Sequence, residues 1–127
     1  MRRTLTMASV FEATAGKAIG YVSGGAVTQE TSKSTAVTLN QPCGQITMDD
    51  AELAAGAEVT VTVTNSYVAA GDVVLVNHGS AGTAGAYLVQ ANTVAAGSFK
   101  ITVANLSAGA LSEAIVLNFA VFKAAAA

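Results

Sequence analysis

The chain has 127 residues, of which 52% are hydrophobic and only 11% charged, with a net charge of −2. That length predicts one domain able to bury about two-thirds of its unfolded surface, and a charge density under half the usual ~25% predicts an exterior partly covered by other chains. Arg2 and Arg3 are the only adjacent cations and the aromatics are dispersed, which excludes a basic nucleic-acid footprint and a base-stacking platform.

Residues 1–25 read as a flexible or partner-docked N-terminal arm, because Gly16, Gly20, Gly24 and Gly25 interrupt any period. The only strand pattern within it is at 18–22. No sustained apolar stretch follows the first cations, so no secretory signal is expected. The longest strongly apolar run, 114–122, is too short to cross a bilayer as a helix. Synthesis in the cytoplasm and no membrane partner are therefore the expectations.

The body spans 26–123, with a short tail at 124–127. Strands are predicted at 26–31, 35–39 and 44–48. A helix of one or two turns is predicted at 48–55, where acids precede good helix formers. Residues 58–64 alternate cleanly, with Val59, Val61 and Val63 on one face and Thr60, Thr62 and Thr64 on the other. That pattern marks a strand with one face on a core. Phe99, Ile101 and Val103 repeat it across 98–105, opposed by Lys100 and Thr102. The strands at 72–77 and 114–122 are apolar on both faces, so at least one is expected to meet another subunit with its outer face.

A short phrase punctuates these strands: Leu53-Ala54-Ala55-Gly56, Val68-Ala69-Ala70-Gly71, Val94-Ala95-Ala96-Gly97 and, loosely, Leu106-Ser107-Ala108-Gly109. The branched residue is expected to plug the end of a core and the glycine to adopt positive φ. An echo links Val61-Thr62-Val63-Thr64-Asn65 to Ile101-Thr102-Val103-Ala104-Asn105, each leading through a glycine turn to a further apolar strand, which predicts two similar hairpins. The fold class is all-β: a two-sheet antiparallel β-sandwich of jelly-roll type with about eight strands.

Chemistry-bearing residues are few. His78 opens the loop Gly79-Ser80-Ala81-Gly82-Thr83-Ala84-Gly85, and Asp72 shares its strand face by parity. Six residues of extended strand span ~20 Å, so the two form no dyad, and His78 is expected as a loop-tip or interface residue. The glycine loop lacks the Lys-Ser/Thr ending and the helix of a phosphate-binding loop. Asp49, Asp50 and Glu52 lack the alternation of a calcium loop and read as a helix first turn. Cys43, the single cysteine, excludes an internal disulfide and reads as a small, partly buried hydrophobe. Only Tyr21, Tyr67 and Tyr87 could stack on a sugar. No catalytic, cofactor or metal residue is predicted, and no enzyme activity.

From 27 to 123 the chain resembles small β-rich proteins of tailed-bacteriophage virions. The resemblance is carried by Thr31-Ser32-Lys33-Ser34-Thr35, Val37-Thr38-Leu39-Asn40, Gly44-Gln45-Ile46-Thr47-Met48, Leu53-Ala54-Ala55-Gly56, Val63-Thr64-Asn65-Ser66, Gly82-Thr83-Ala84-Gly85-Ala86-Tyr87, and Leu111-Ser112-Glu113-Ala114 through Asn118-Phe119-Ala120-Val121. It implies a capsid decoration (cement) protein on the outer surface of the head, a homo-oligomer (as a trimer) that binds the major capsid protein. The alternative is a receptor- or glycan-binding module of a tail fibre or spike, with binding at the loop tips around 77–87.

Overall fold

The computed structural model describes residues 15, 16, 18–21 and 23–124. Most of the arm and the last three residues lie outside that set. At 18–21 there is no strand, and the first begins at Gly25.

Among the described residues, eight strands form two four-stranded sheets. The first sheet has the order β1 (Gly25–Thr28), β3 (Cys43–Thr47), β8 (Val116–Phe122), β5 (Val73–Ser80). The second has β2 (Val37–Thr38), β4 (Glu58–Thr64), β7 (Ser98–Asn105), β6 (Tyr87–Ala95). The sandwich is confirmed, but it is not wholly antiparallel: β1 with β3 and β2 with β4 are parallel pairs. From β1 to β6 the chain changes sheet at every step. Two successive crossings reverse its direction twice, so a strand returning beside its predecessor runs parallel to it.

The same habit corrects the predicted hairpins. Both β4 to β5 and β7 to β8 are crossings between sheets, and they clasp each other antiparallel, β4 on β7 and β5 on β8. The hairpin that does form is β6–β7. Its first strand, β6, has no counterpart among the predicted elements. Leu88 points outward, and a bulge at Thr93 (φ 51°) resets the alternation, which hides the period.

Between the sheets, Val61 and Val63 of β4 and Phe99, Ile101 and Val103 of β7 meet Ile46, Leu117, Phe119 and Val121. Phe99 and Phe119 join the layers with ring centroids 5.4 Å apart. Burial of each large side chain of this kind contributes ~1.5–3 kcal/mol.

The punctuating phrase works as expected in three of its four copies. Gly56, Gly71 and Gly97 all take positive φ, while Leu53 and Val68 are buried plugs and Val94 packs partly against the core. The loose fourth copy fails: Leu106 is 62% exposed and Gly109 has no positive φ. No helix forms at 48–55 among the described residues. Met48 and Leu53 both enter the core, and at five residues apart they lie about 140° from each other around a helix, so one helical face cannot bury both. Asp49 Oδ1 instead accepts the Ala51 amide at 2.8 Å, closing a local turn.

Where β4 and β7 end, the echoed asparagines do matching work. Both are fully buried. Asn65 Nδ2 donates to the Leu39 and Gln41 carbonyls at 2.9 and 2.7 Å, and its Oδ1 accepts the Tyr67 and Val68 amides. Asn105 Nδ2 donates to the Leu53 and Gly109 carbonyls, each at 2.9 Å, and its Oδ1 accepts Ser107 N and Oγ. The Asn65 amide donates to Gly97 O and the Gly56 amide to Asn105 O, so each asparagine is tied to a glycine turn.

Candidate functional site

At the loop end of β5 a polar cluster gathers side chains from three segments. His78 Nε2 lies 3.1 Å from Ser80 O and 2.5 Å from Ala81 O. Both are acceptors, so Nε2 carries the proton and is committed to holding the loop. The imidazole stands edge-on to Tyr87, ring centroids 5.5 Å apart. Tyr87 is buried, and its hydroxyl donates to Glu113 Oε1 at 2.7 Å. Glu113 also accepts the Thr83 amide at 3.0 Å and the Thr83 hydroxyl at 2.9 Å.

These bonds set the protonation of the cluster. The Tyr87 hydroxyl, then the Thr83 amide and hydroxyl, hold the Glu113 carboxyl below its usual range. Burial, then the Glu113 hydrogen bond, push the Tyr87 phenol above its own. A carboxylate with three donors and a neutral phenol with one acceptor form a clamp between the glycine loop and the segment before β8. A carboxyl depressed on folding contributes stability above the unfolded pKa of ~4.3, and that contribution is lost as pH falls through the folded value. Glu113→Gln is therefore expected to lower the urea midpoint at pH 7, with the gap to the parent chain closing as pH falls to ~3. A gap that stays constant with pH contradicts the clamp.

Lys33 lies beside this clamp, buried, its Nζ donating to the Asp49 carbonyl and to Glu113 O at 2.6 Å. Burial lowers its pKa, against the opposing pull of Asp49, Asp50 and Glu113. Gln29, also buried, donates to the Lys33 and Thr35 carbonyls and accepts the Asp49 amide. Neither Lys33 nor Glu113 stood out in the sequence. A lone lysine in a serine–threonine stretch reads as exposed, and its partners lie 16 and 80 residues away.

The residues weighed from sequence fall apart in space by function. Asp72 is held by Lys123 at 2.5 Å and by the Ala69 amide, which keeps its carboxyl below the usual range. Asp72 therefore serves the β5 entrance, with no role at His78. Asp50 and Glu52 are exposed, and among the described residues no group of three His, Cys, Asp or Glu side chains is placed to hold a metal. Cys43 is half-buried, its thiol donating to Ser23 O at 3.3 Å. Of the tyrosines, Tyr21 and Tyr67 are exposed while Tyr87 is not.

The two outer walls of the sandwich differ sharply. On the second sheet, Thr60 bonds Thr102 at 2.8 Å, Asn92 bonds the same Thr102 at 2.9 Å, and Glu58 and Lys100 add charges of both signs. The outer wall of the first sheet, made by alternate residues of β1, β3, β8 and β5, carries no charged side chain at all. At its β5–β8 corner Val73 pairs with Phe122 and Leu75 with Ala120. Val73, Leu75 and Phe122 are 49%, 56% and 58% exposed. Across its middle runs a register row of amides, Asn77, Asn118 and Gln45, in which Asn118 Oδ1 is buried without a hydrogen-bond partner. Both doubly apolar strands thus turn apolar side chains to this outer wall, Val73 and Leu75 from β5 and Val116, Ala120 and Phe122 from β8.

No protein-family model matches the chain, and neither does any curated protein or solved structure.

Proposed function

We propose that this chain is a structural virion protein that decorates and stabilises the outer surface of a tailed-phage capsid, binding the major capsid protein as an oligomer. The observation that carries the reading is the uncharged wall of the first sheet. An apolar corner beside an uncharged, partly polar strip costs solubility in a free chain and is repaid when another surface covers it. The phrase-by-phrase resemblance from 27 to 123 supplies the phage context. The polar side chains that chemistry would need, His78, Glu113 and Asp72, are engaged in holding loops, as suits a rigid scaffold.

Decoration acts by mass action. A protein that binds only the assembled shell stabilises it by its binding free energy at every site, and repetition over a symmetric shell multiplies a modest contact. The glycan-binding alternative places binding at the loop tips around 77–87, where the stacking residue would be Tyr87. That ring is 9% exposed with its hydroxyl on Glu113, so it is not offered to a sugar.

The test uses heads purified from a lysate that produces this chain. Heads carrying it are expected to survive heating or chelation that opens heads stripped of it, and adding it back restores resistance. Absence of the chain from purified heads overturns the reading.

A further inference from the structure

From the edges of the two sheets we infer that the open side of β5 pairs with β5 of a second copy of this chain. The pairing is antiparallel about a twofold axis at Leu75, perpendicular to the sheet, so that the two first sheets run on as one. This goes beyond the capsid reading and stands without it.

The sandwich has four edge strands, β1 and β5 in the first sheet and β2 and β6 in the second. An edge strand holds out a row of unpaired amides and carbonyls, and chains that stay single shorten it, charge it or bulge it. β1 has four residues and β2 two, and β6 is broken by the bulge at Thr93. β5 has none of these devices. From Val73 to His78 it runs without a bulge, a proline, an acid, a lysine or an arginine. It pairs with β8 on one side, and among the described residues no other segment bonds its backbone from Val73 to Gly79. β6 lies beside it across the rim, in the other sheet, and shares no ladder with it. Such a row is completed by another extended strand.

β5 is a match for itself. Pairing about Leu75 sets Leu75 opposite its own equivalent, Val74 opposite Val76 of the copy, and Val73 opposite Asn77 of the copy. Opposed residues then share a face, as the side-chain period of two demands. Val74 and Val76 turn inward but are only partly buried, because the core ends at this rim. In the pair each gains a valine of the copy on its open side, with β-carbons ~4.5–5.5 Å apart. The strand carries no acid, lysine or arginine, so the twofold opposes no like charges along it.

Only Val73 to Asn77 of each copy, five residues, lie strand against strand, whereas a standard stable interface takes about 20–30 residues a side. The pair is therefore weak and concentration-dependent. It closes at two copies, where the resemblance implies three.

Sedimentation velocity of the full chain, taken from micromolar to near-millimolar concentration, reads the mass, and a crosslink reads the register. The parent chain is expected to move from monomer to dimer. Leu75→Glu and Leu75→Lys chains each stay monomeric with unchanged circular dichroism, because the side chain is exposed, and mixing the two restores the dimer. In a Cys43→Ala background, oxidising a mixture of Val73→Cys and Asn77→Cys chains yields a disulfide-linked dimer, since opposed residues lie within disulfide reach. Val73→Cys alone yields none, because its equivalent sits four residues along the partner strand, ~13 Å away. A parent chain that stays monomeric, a stable trimer, a Leu75→Glu chain that associates like the parent, or a Val73→Cys chain that links to itself as readily as the mixture overturns the inference.

Discussion

Replacing Asn105 by alanine lowers the stability of this fold by about 2–4 kcal/mol, and Asn65→Ala costs a similar amount. Each side chain is fully buried and makes four hydrogen bonds, two donated to carbonyls and two accepted. Alanine removes all four: Asn65→Ala strips the Gln41 carbonyl and the Tyr67 and Val68 amides of their partner and Asn105→Ala the Ser107 amide, while the Leu39 and Leu53 carbonyls keep the Gln41 and Leu111 amides. An unsatisfied buried group costs ~1–3 kcal/mol, partly recovered where loop water reaches it. Asn105→Asp gives a sharper signature. The carboxylate keeps both acceptor bonds but faces the Leu53 and Gly109 carbonyls with negative charge, so it is at least as damaging as alanine at neutral pH. Protonation gives it back one donor, so its deficit shrinks in acid. Urea midpoints at pH 7 and pH 4, with the slope of the transition unchanged, measure both effects. A loss under ~0.5 kcal/mol for Asn105→Ala contradicts the role assigned to it.

Phe99→Ala is expected to cost about 3–5 kcal/mol, because it opens a cavity where the two layers meet. Phe99 has no exposed surface, and its ring lies against Phe119. Phe122→Ala is the informative contrast. That ring is 58% exposed at the apolar corner, so in dilute solution its removal changes stability by less than ~0.5 kcal/mol. Two phenylalanines of equal size thus separate by roughly 3 kcal/mol or more in denaturant unfolding. Equal losses for the two contradict the placement of the core.

Elements whose signal is local were legible in the sequence. The bounds of β4, and the pattern of β7, follow from Val, Ile and Phe alternating with Thr and Lys, since one face of each is core and the other is wet. The three tight copies of the glycine phrase were legible for the same reason: a positive φ is a demand at one position. Which sheet a strand joins is another matter. Nothing in the periodicity of β5 or β8 states that the chain has just crossed the sandwich, and so two crossings read as hairpins. The strand β6 was masked by its bulge and by Leu88 on the wet side. In the polar cluster, Lys33, Tyr87 and Glu113 come together from three distant segments, a juxtaposition that only folding creates. The uncharged wall was half legible. The doubly apolar strands were plain, but their common side depended on the β5–β8 register.

Side-chain footprinting by hydroxyl radicals, comparing dilute with assembled chain, tests the association surface most directly. Protection is expected at Val73, Leu75 and Phe122, while Leu88 and Leu106, 56% and 62% exposed on other surfaces, stay as reactive as before. Protection of Leu88 or Leu106, with Leu75 and Phe122 unchanged between the two states, contradicts the assignment of the uncharged wall.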